Sequence, residues 1–188
     1  YHPIIEILKA GFGIEDNEKD ADVKKKVVEN LQELNVNEDT ALPFLLELFS
    51  VQVDSTKQLN MSKEMRKEQI AEAFHTIVLN NSKIKPLIII IEDLHWIDRS
   101  SEELLDRLLE RTPASRILLI FTFRPEYEEI WRRKSYHGQI NLNGFSRQES
   151  LEMVTHLLDT KECEPRLKDL VLEKAEGNPL FIEECLRS

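Results

Sequence analysis

Five consecutive aliphatic residues, Leu87-Ile88-Ile89-Ile90-Ile91, follow Pro86 and run straight into two acids, Glu92-Asp93. The isoleucines are β-branched, stiff at χ1 and best accommodated on a pleated surface. An unbroken apolar run, rather than an alternating one, predicts a strand covered on both faces of a parallel sheet. Such a strand needs a parallel neighbour reached by a crossover. The neighbour is residues 116–122, Arg-Ile-Leu-Leu-Ile-Phe-Thr. Between the two runs, the stripe Leu104, Leu105, Leu108 and Leu109 predicts a helix over 101–111, opened by a capping box Ser100…Glu103. Strand, helix and strand make a βαβ unit, which crosses over right-handed. A third, weaker strand is predicted at 139–142, followed by a capping box Ser146…Glu149 and a helix carrying Leu151, Val154, Leu157 and Leu158. A helix over 165–176 stops at Gly177, and another starts at Pro179, the first-turn position that proline favours.

Upstream of Pro86 the period is helical. An apolar-faced turn from Pro3 to Ala10 is closed by Gly11 and Gly13. Val23, Val27, Leu31 and Leu34 recur on one face of a helix over 20–34. Residues 41–49 and 65–79 read as two further helices. With 188 residues, 41% of them hydrophobic, the chain can bury roughly 70% of its unfolded surface without disulfide or metal staples. The fold class expected is α/β: a partial three-layer fold with a small parallel sheet, a helical N-terminal insert and the start of a C-terminal helical domain. Three segments follow from this: 1–85 helical, 86–145 bearing the strands, and 146–188 helical.

Composition removes several function classes. A net charge of −10, with basic residues scattered among acids, argues against direct nucleic-acid binding. The longest aliphatic run is far short of the ~20 apolar residues that cross a bilayer, so no membrane contact is expected and the location expected is cytoplasmic. Cys163 and Cys185 share no CxxC spacing and the five histidines make no HExxH; both cysteines are expected to be structural.

Ligands of open α/β sheets sit beyond the carboxyl ends of the strands. After the first strand comes Glu92-Asp93-Leu94-His95-Trp96-Ile97-Asp98. Adjacent carboxylates at a buried strand's end are costly unless solvated, hydrogen-bonded or facing a cation. Hydrophobics followed by two acids form the Walker B pattern, in which one acid holds Mg²⁺ and the next polarises an attacking water. The same residues also suit an ordinary acidic turn, with Asp98 or Ser100 capping the next helix. After the second strand comes Thr122-Phe123-Arg124-Pro125-Glu126, whose Arg124 can fork onto a γ-phosphate or serve as a surface ion-pair residue. The third element, Glu176-Gly177-Asn178-Pro179-Leu180-Phe181, offers a sharp break and a flat proline ring, or simply punctuates two helices.

In this order the three elements resemble the AAA-like ATPase region of the STAND family, the signal-transduction ATPases of multidomain nucleotide cyclases, protein kinases and LuxR-type regulators. The resemblance covers residues 86–186, and Tyr1-His2-Pro3-Ile4-Ile5-Glu6-Ile7-Leu8 is similar to a segment past the family's second core strand. It implies ATP and Mg²⁺ as cofactors, Glu92 and Asp93 as metal-linked and catalytic acids, and Arg124 with Thr122 at the γ-phosphate. It further implies Asn178 and Pro179 at the adenine, and a packing role for His95, Trp96 and Asp98. The family's phosphate loop, G-x-x-x-x-G-K-[ST], is not among these 188 residues, since no glycine is followed by Lys. The resemblance therefore implies a piece of a larger protein, inactive as a hydrolase by itself. Its expected partner is an effector domain of the same polypeptide, with self-association possible. A non-catalytic scaffold derived from the same fold is the other reading.

Overall fold

The computed structural model describes residues 1–51, 61–127, 136–158 and 165–187. The chain divides into two compact units, Tyr1–His137 and Gly138–Ser188.

The first unit begins with four helices: α1 (His2–Phe12), α2 (Asp20–Glu33), α3 (Glu38–Leu48) and α4 (Lys63–Ile84). α1 runs through Gly11 and ends at Gly13, which adopts φ 65° and returns its N–H to the Lys9 carbonyl. α2 buries Val23, Val27 and Leu31 as the periodicity predicts. α3 starts earlier than its apolar stripe, because the Asn37 side chain accepts from the Asp39 N–H and opens the helix there. Ser62 caps α4 in the same way.

Strand β1 (Leu87–Ile91) then pairs in parallel with β2 (Ile117–Phe121), Leu87 opposite Ile117 and Ile91 opposite Phe121. α5 (Arg99–Arg111) connects them. Arg116 fixes the lower end of the pair, its Nε donating to the Ser82 carbonyl at 2.9 Å and its guanidinium also bonding the Lys83 carbonyl at the end of α4. One core serves the helices and the sheet together. Ile4 and Leu8, Val27 and Leu31, Phe44 and Leu45, Phe74 and Ile77, Ile89 and Ile91, and Leu105 and Leu108 are all buried in it. His75 lies in the same core, with its Nε2 donating to the Leu104 carbonyl across α4 and α5. Outside it, Arg107 pairs with Glu68 and Arg111 with Glu72, matching one turn of each helix.

The sheet corrects two expectations. β1 is covered on one face only: Ile89 and Ile91 are buried, whereas Ile88 is 66% exposed and Ile90 is exposed beside it. On β2, Leu118 and Ile120 are exposed on the same alternation. The uniform apolar run therefore contains a period of two that its composition conceals. No strand forms at 139–142, where Leu142 is 92% exposed and Ile140 nearly so. That segment has no ladder partner, and an apolar/polar alternation without a covering layer stabilises nothing.

The second unit contains α6 (Arg147–Leu157), α7 (Pro165–Ala175) and α8 (Pro179–Arg187), packed around Val154, Val171, Ala175 and Ile182. The capping box at its start forms as predicted, Ser146 and Glu149 bonding reciprocally. Cys185 is half-buried against this core, and Cys163 lies outside the described residues. Among the described residues, no helix is long and apolar enough to cross a membrane.

Candidate functional site

The carboxyl ends of β1 and β2 are joined by more than their ladder. The Thr122 N–H donates to the Ile91 carbonyl at 3.1 Å, the last ladder bond. Thr122 then accepts twice from the turn beyond β1: its Oγ1 from the Asp93 N–H at 3.0 Å, and its carbonyl from the Leu94 N–H at 2.8 Å. Thr122 thus holds the two acids in register with the end of β2, a role the sequence reading did not give it.

Pinned in this way, Asp93 takes φ 53° and ψ 43°, the left-handed region that a non-glycine residue enters at a cost of about 1 kcal/mol. Asp is among the few residues tolerated there. Directly after it, Leu94 is fully buried and starts a single 3₁₀ turn, Leu94–Trp96. Asp98 ends the turn and caps α5, accepting from the Ser101 N–H at 3.0 Å and the Ser101 hydroxyl at 2.6 Å. The cap is therefore Asp98, not Ser100, and the capping box with Glu103 does not form. Burial pushes the Asp98 carboxyl up. Hydrogen bonds from the Ser101 hydroxyl and amide act against that and lower it.

Glu92 and Asp93 both face solvent. Their hard oxygens suit Mg²⁺ held together with water and phosphate oxygens, rather than a closed protein cage. Among the described residues, no group of three or more His, Cys, Asp or Glu gathers into a metal cage. His95 lies behind the acids, its Nδ1 4.0 Å from Asp93 Oδ1 and its side chain only 11% exposed. Among the described residues, neither ring nitrogen has a hydrogen-bond partner. Its ring leans on Trp96 at 4.8 Å between centroids. Packing therefore describes His95, whereas Trp96 is 71% exposed and does not pack into the core.

Beyond β2 the chain turns at once. The Tyr127 N–H donates to the Arg124 carbonyl at 3.0 Å, with Pro125 at the position where its fixed φ favours such a turn. Tyr127 anchors the turn, its hydroxyl donating to Glu102 of α5 at 2.6 Å and its ring meeting Phe123. The Arg124 guanidinium carbon lies 5.6 Å from the centre of the Trp96 ring. The structure thus brings Glu92, Asp93, Thr122 and Arg124 to one end of the strand pair, with Trp96 among them. Sequence reading missed both Tyr127 and the Trp96–Arg124 stack. The X-Pro turn was the one local signal available.

Asn178 and Pro179 belong to the second unit. There Glu176 and Gly177 take φ 46° and 79° and break α7 from α8. The Gly177 carbonyl accepts from the Phe145 N–H at 2.7 Å. A Cβ on Gly177 would stand 2.3 Å from the Phe145 carbonyl oxygen, so only glycine fits. Asn178 Oδ1 accepts from the Leu180 N–H at 3.0 Å and caps α8, and Pro179 is its first residue. Pro179, Leu180 and Phe181 are exposed next to one another.

Comparisons with known proteins bear on both units. A family model described as "AAA ATPase domain" matches residues 2–120. A second, "Domain of unknown function (DUF8739)", matches residues 146–188. The chain is similar to "Uncharacterized protein R02095" of Rhizobium meliloti (strain 1021), 29% identical over 101 residues that make up 53% of this chain and 10% of that protein. No solved structure matches significantly.

Proposed function

Because the chain belongs to the AAA ATPase domain family, we propose that it is the ATP-responsive regulatory module of a multidomain cytoplasmic signalling protein of the STAND class. The observation that carries this reading is the pinning of Glu92-Asp93 to Thr122 at the carboxyl ends of two parallel strands, with Arg124 open beside them. In this reading the segment after β1 is a Walker B element. Glu92 and Asp93 hold Mg²⁺, which supplies charge neutralisation at the phosphates when bound. Asp93 orients water towards the γ-phosphate, and Arg124 senses whether that phosphate is present. The nucleotide state is passed to an effector domain of the same polypeptide, of a kind such as a nucleotide cyclase, a kinase or a transcriptional regulator.

The curated relative is about ten times longer than the stretch it shares with this chain, which suits a module within a larger assembly. The test is calorimetric titration of ATP·Mg into the longest natural polypeptide that contains these residues. A Kd below about 10 μM, worth roughly 7 kcal/mol, is expected there. The 188-residue chain should bind more weakly, since two acids and one arginine contact phosphates without wrapping them. Absence of binding to the longer polypeptide would refute the module. It would leave the non-catalytic scaffold, which the exposed apolar face of Ile88, Ile90, Leu118 and Ile120 favours as a contact surface.

A further inference from the structure

Trp96 is a large aromatic residue left in water on a turn whose other apolar residue, Leu94, is buried. Core packing does not account for it. Its neighbours are the His95 ring and the guanidinium of Arg124, the latter within the ~6 Å at which a cation is drawn to an indole face. Among the described residues, Arg124 has no hydrogen bond or ion pair from its side chain.

From this geometry we infer that Trp96 is a positioning residue for Arg124, holding its guanidinium over the carboxyl ends of β1 and β2. The chemistry follows from the shape of the two groups. A cation held over an indole ring by its charge spends no N–H donor on a hydrogen bond, so the guanidinium fork stays available to a phosphate oxyanion. An ion pair with a carboxylate would consume those donors. The platform is also in register with the acids. Trp96 is three residues from Asp93 on a 3₁₀ turn, and its N–H donates to the Asp93 carbonyl at 2.9 Å. Buried Leu94 anchors the turn below, and Asp98 anchors it to α5. Arg124 sits on its own hydrogen-bonded turn, so two turns from different strands bring carboxylates and a guanidinium to one end of the strand pair. This inference rests on the nucleotide reading above.

The experiment is a double-mutant cycle on steady-state ATP hydrolysis in the longest natural polypeptide containing these residues. Trp96→Leu is expected to lower kcat about two- to fivefold, the worth of ~0.5–1 kcal/mol at an exposed site, with KM changed less than twofold. Trp96→Phe should recover most of the loss. In an Arg124→Ala background, Trp96→Leu should cost nothing further. Equal losses in both backgrounds, or an unchanged kcat in Trp96→Leu, would overturn the inference. A second measurement separates it from the nucleotide reading. In the 188-residue chain, the Arg124 Nε–Hε resonance, identified by its loss in Arg124→Lys, should move in Trp96→Leu and move less in Trp96→Phe. A resonance that stays in place overturns the stack. A moved resonance in a protein without ATP turnover supports the coupling and refutes the ATPase reading.

Discussion

Three glycines of this chain separate backbone strain from steric exclusion, and Gly177→Ala is the sharpest case. At φ 79°, an alanine incurs about 1 kcal/mol for the left-handed backbone. Its Cβ would also stand 2.3 Å from the Phe145 carbonyl oxygen, a backbone atom that cannot swing aside like a flexible side chain. Relief requires the 144–146 segment to move away, which breaks the 2.7 Å bond from the Phe145 N–H to the Gly177 carbonyl, worth about another 1 kcal/mol. The second unit should therefore lose at least ~2 kcal/mol. Gly13→Ala shares the strain, with φ 65°, but meets nothing within 4 Å, so it should cost only ~1 kcal/mol. Gly11→Ala lies inside α1 with open space and should stabilise by ~0.5–1 kcal/mol. Urea unfolding followed through amide resonances assigned to each unit reads all three, since all three tyrosines lie in the first unit. If Gly177→Ala costs no more than Gly13→Ala, the close approach of Phe145 to the α7–α8 joint is wrong.

Three further outcomes follow from the same structure. Burial holds the His75 imidazole below its ordinary pKa, partly offset by the Leu104 carbonyl that accepts its hydrogen bond. Between the lowered folded value and about 6.5, the unfolded chain binds a proton that the folded chain does not. Stability should thus be fully present above pH ~6.5 and fall as pH drops below it, a slope that urea midpoints should show weakened in His75→Gln. Ile89→Ala should cost ~2–5 kcal/mol, whereas Ile88→Thr, on the exposed face of the same strand, should stay within ~0.5 kcal/mol by the same assay; equal costs would mean that the second face is covered. Thr122→Val removes the acceptor of the Asp93 N–H and should cost ~0.5–1.5 kcal/mol, with Thr122→Ser restoring it.

The parts of this fold legible in the sequence were those where a short pattern and the tertiary environment agree. Leu87–Ile91 is a strand because β-branching leaves it little else, and Ser146…Glu149 is a capping box because both partners are local. Where a pattern needs a distant layer, the reading failed. An all-isoleucine run cannot display which alternate residues are covered, and Ile140 and Leu142 look strand-like only until no partner is found for them. Ser100…Glu103 satisfies the capping pattern, but the chain enters the helix at Arg99, where Asp98 already faces the Ser101 N–H. The site divides in the same way. Two acids after a strand and an arginine after the next were visible as strand-end residues. The threonine hydroxyl that fixes the acids and the indole under the arginine were not, because each joins residues of different strands, and no local periodicity records such a pairing.

In the proposed ATPase, the turn beyond β1 orients water on ATP. That role is tested most directly by single-turnover hydrolysis in the longest natural polypeptide containing these residues, with Asp93→Asn beside the unmutated protein and bound nucleotide measured in both. Asp93→Asn is expected to retain ATP while hydrolysing it at least tenfold more slowly, since an amide keeps the size of the side chain but loses the charge that polarises water. Hydrolysis in Asp93→Asn at the unmutated rate would contradict it.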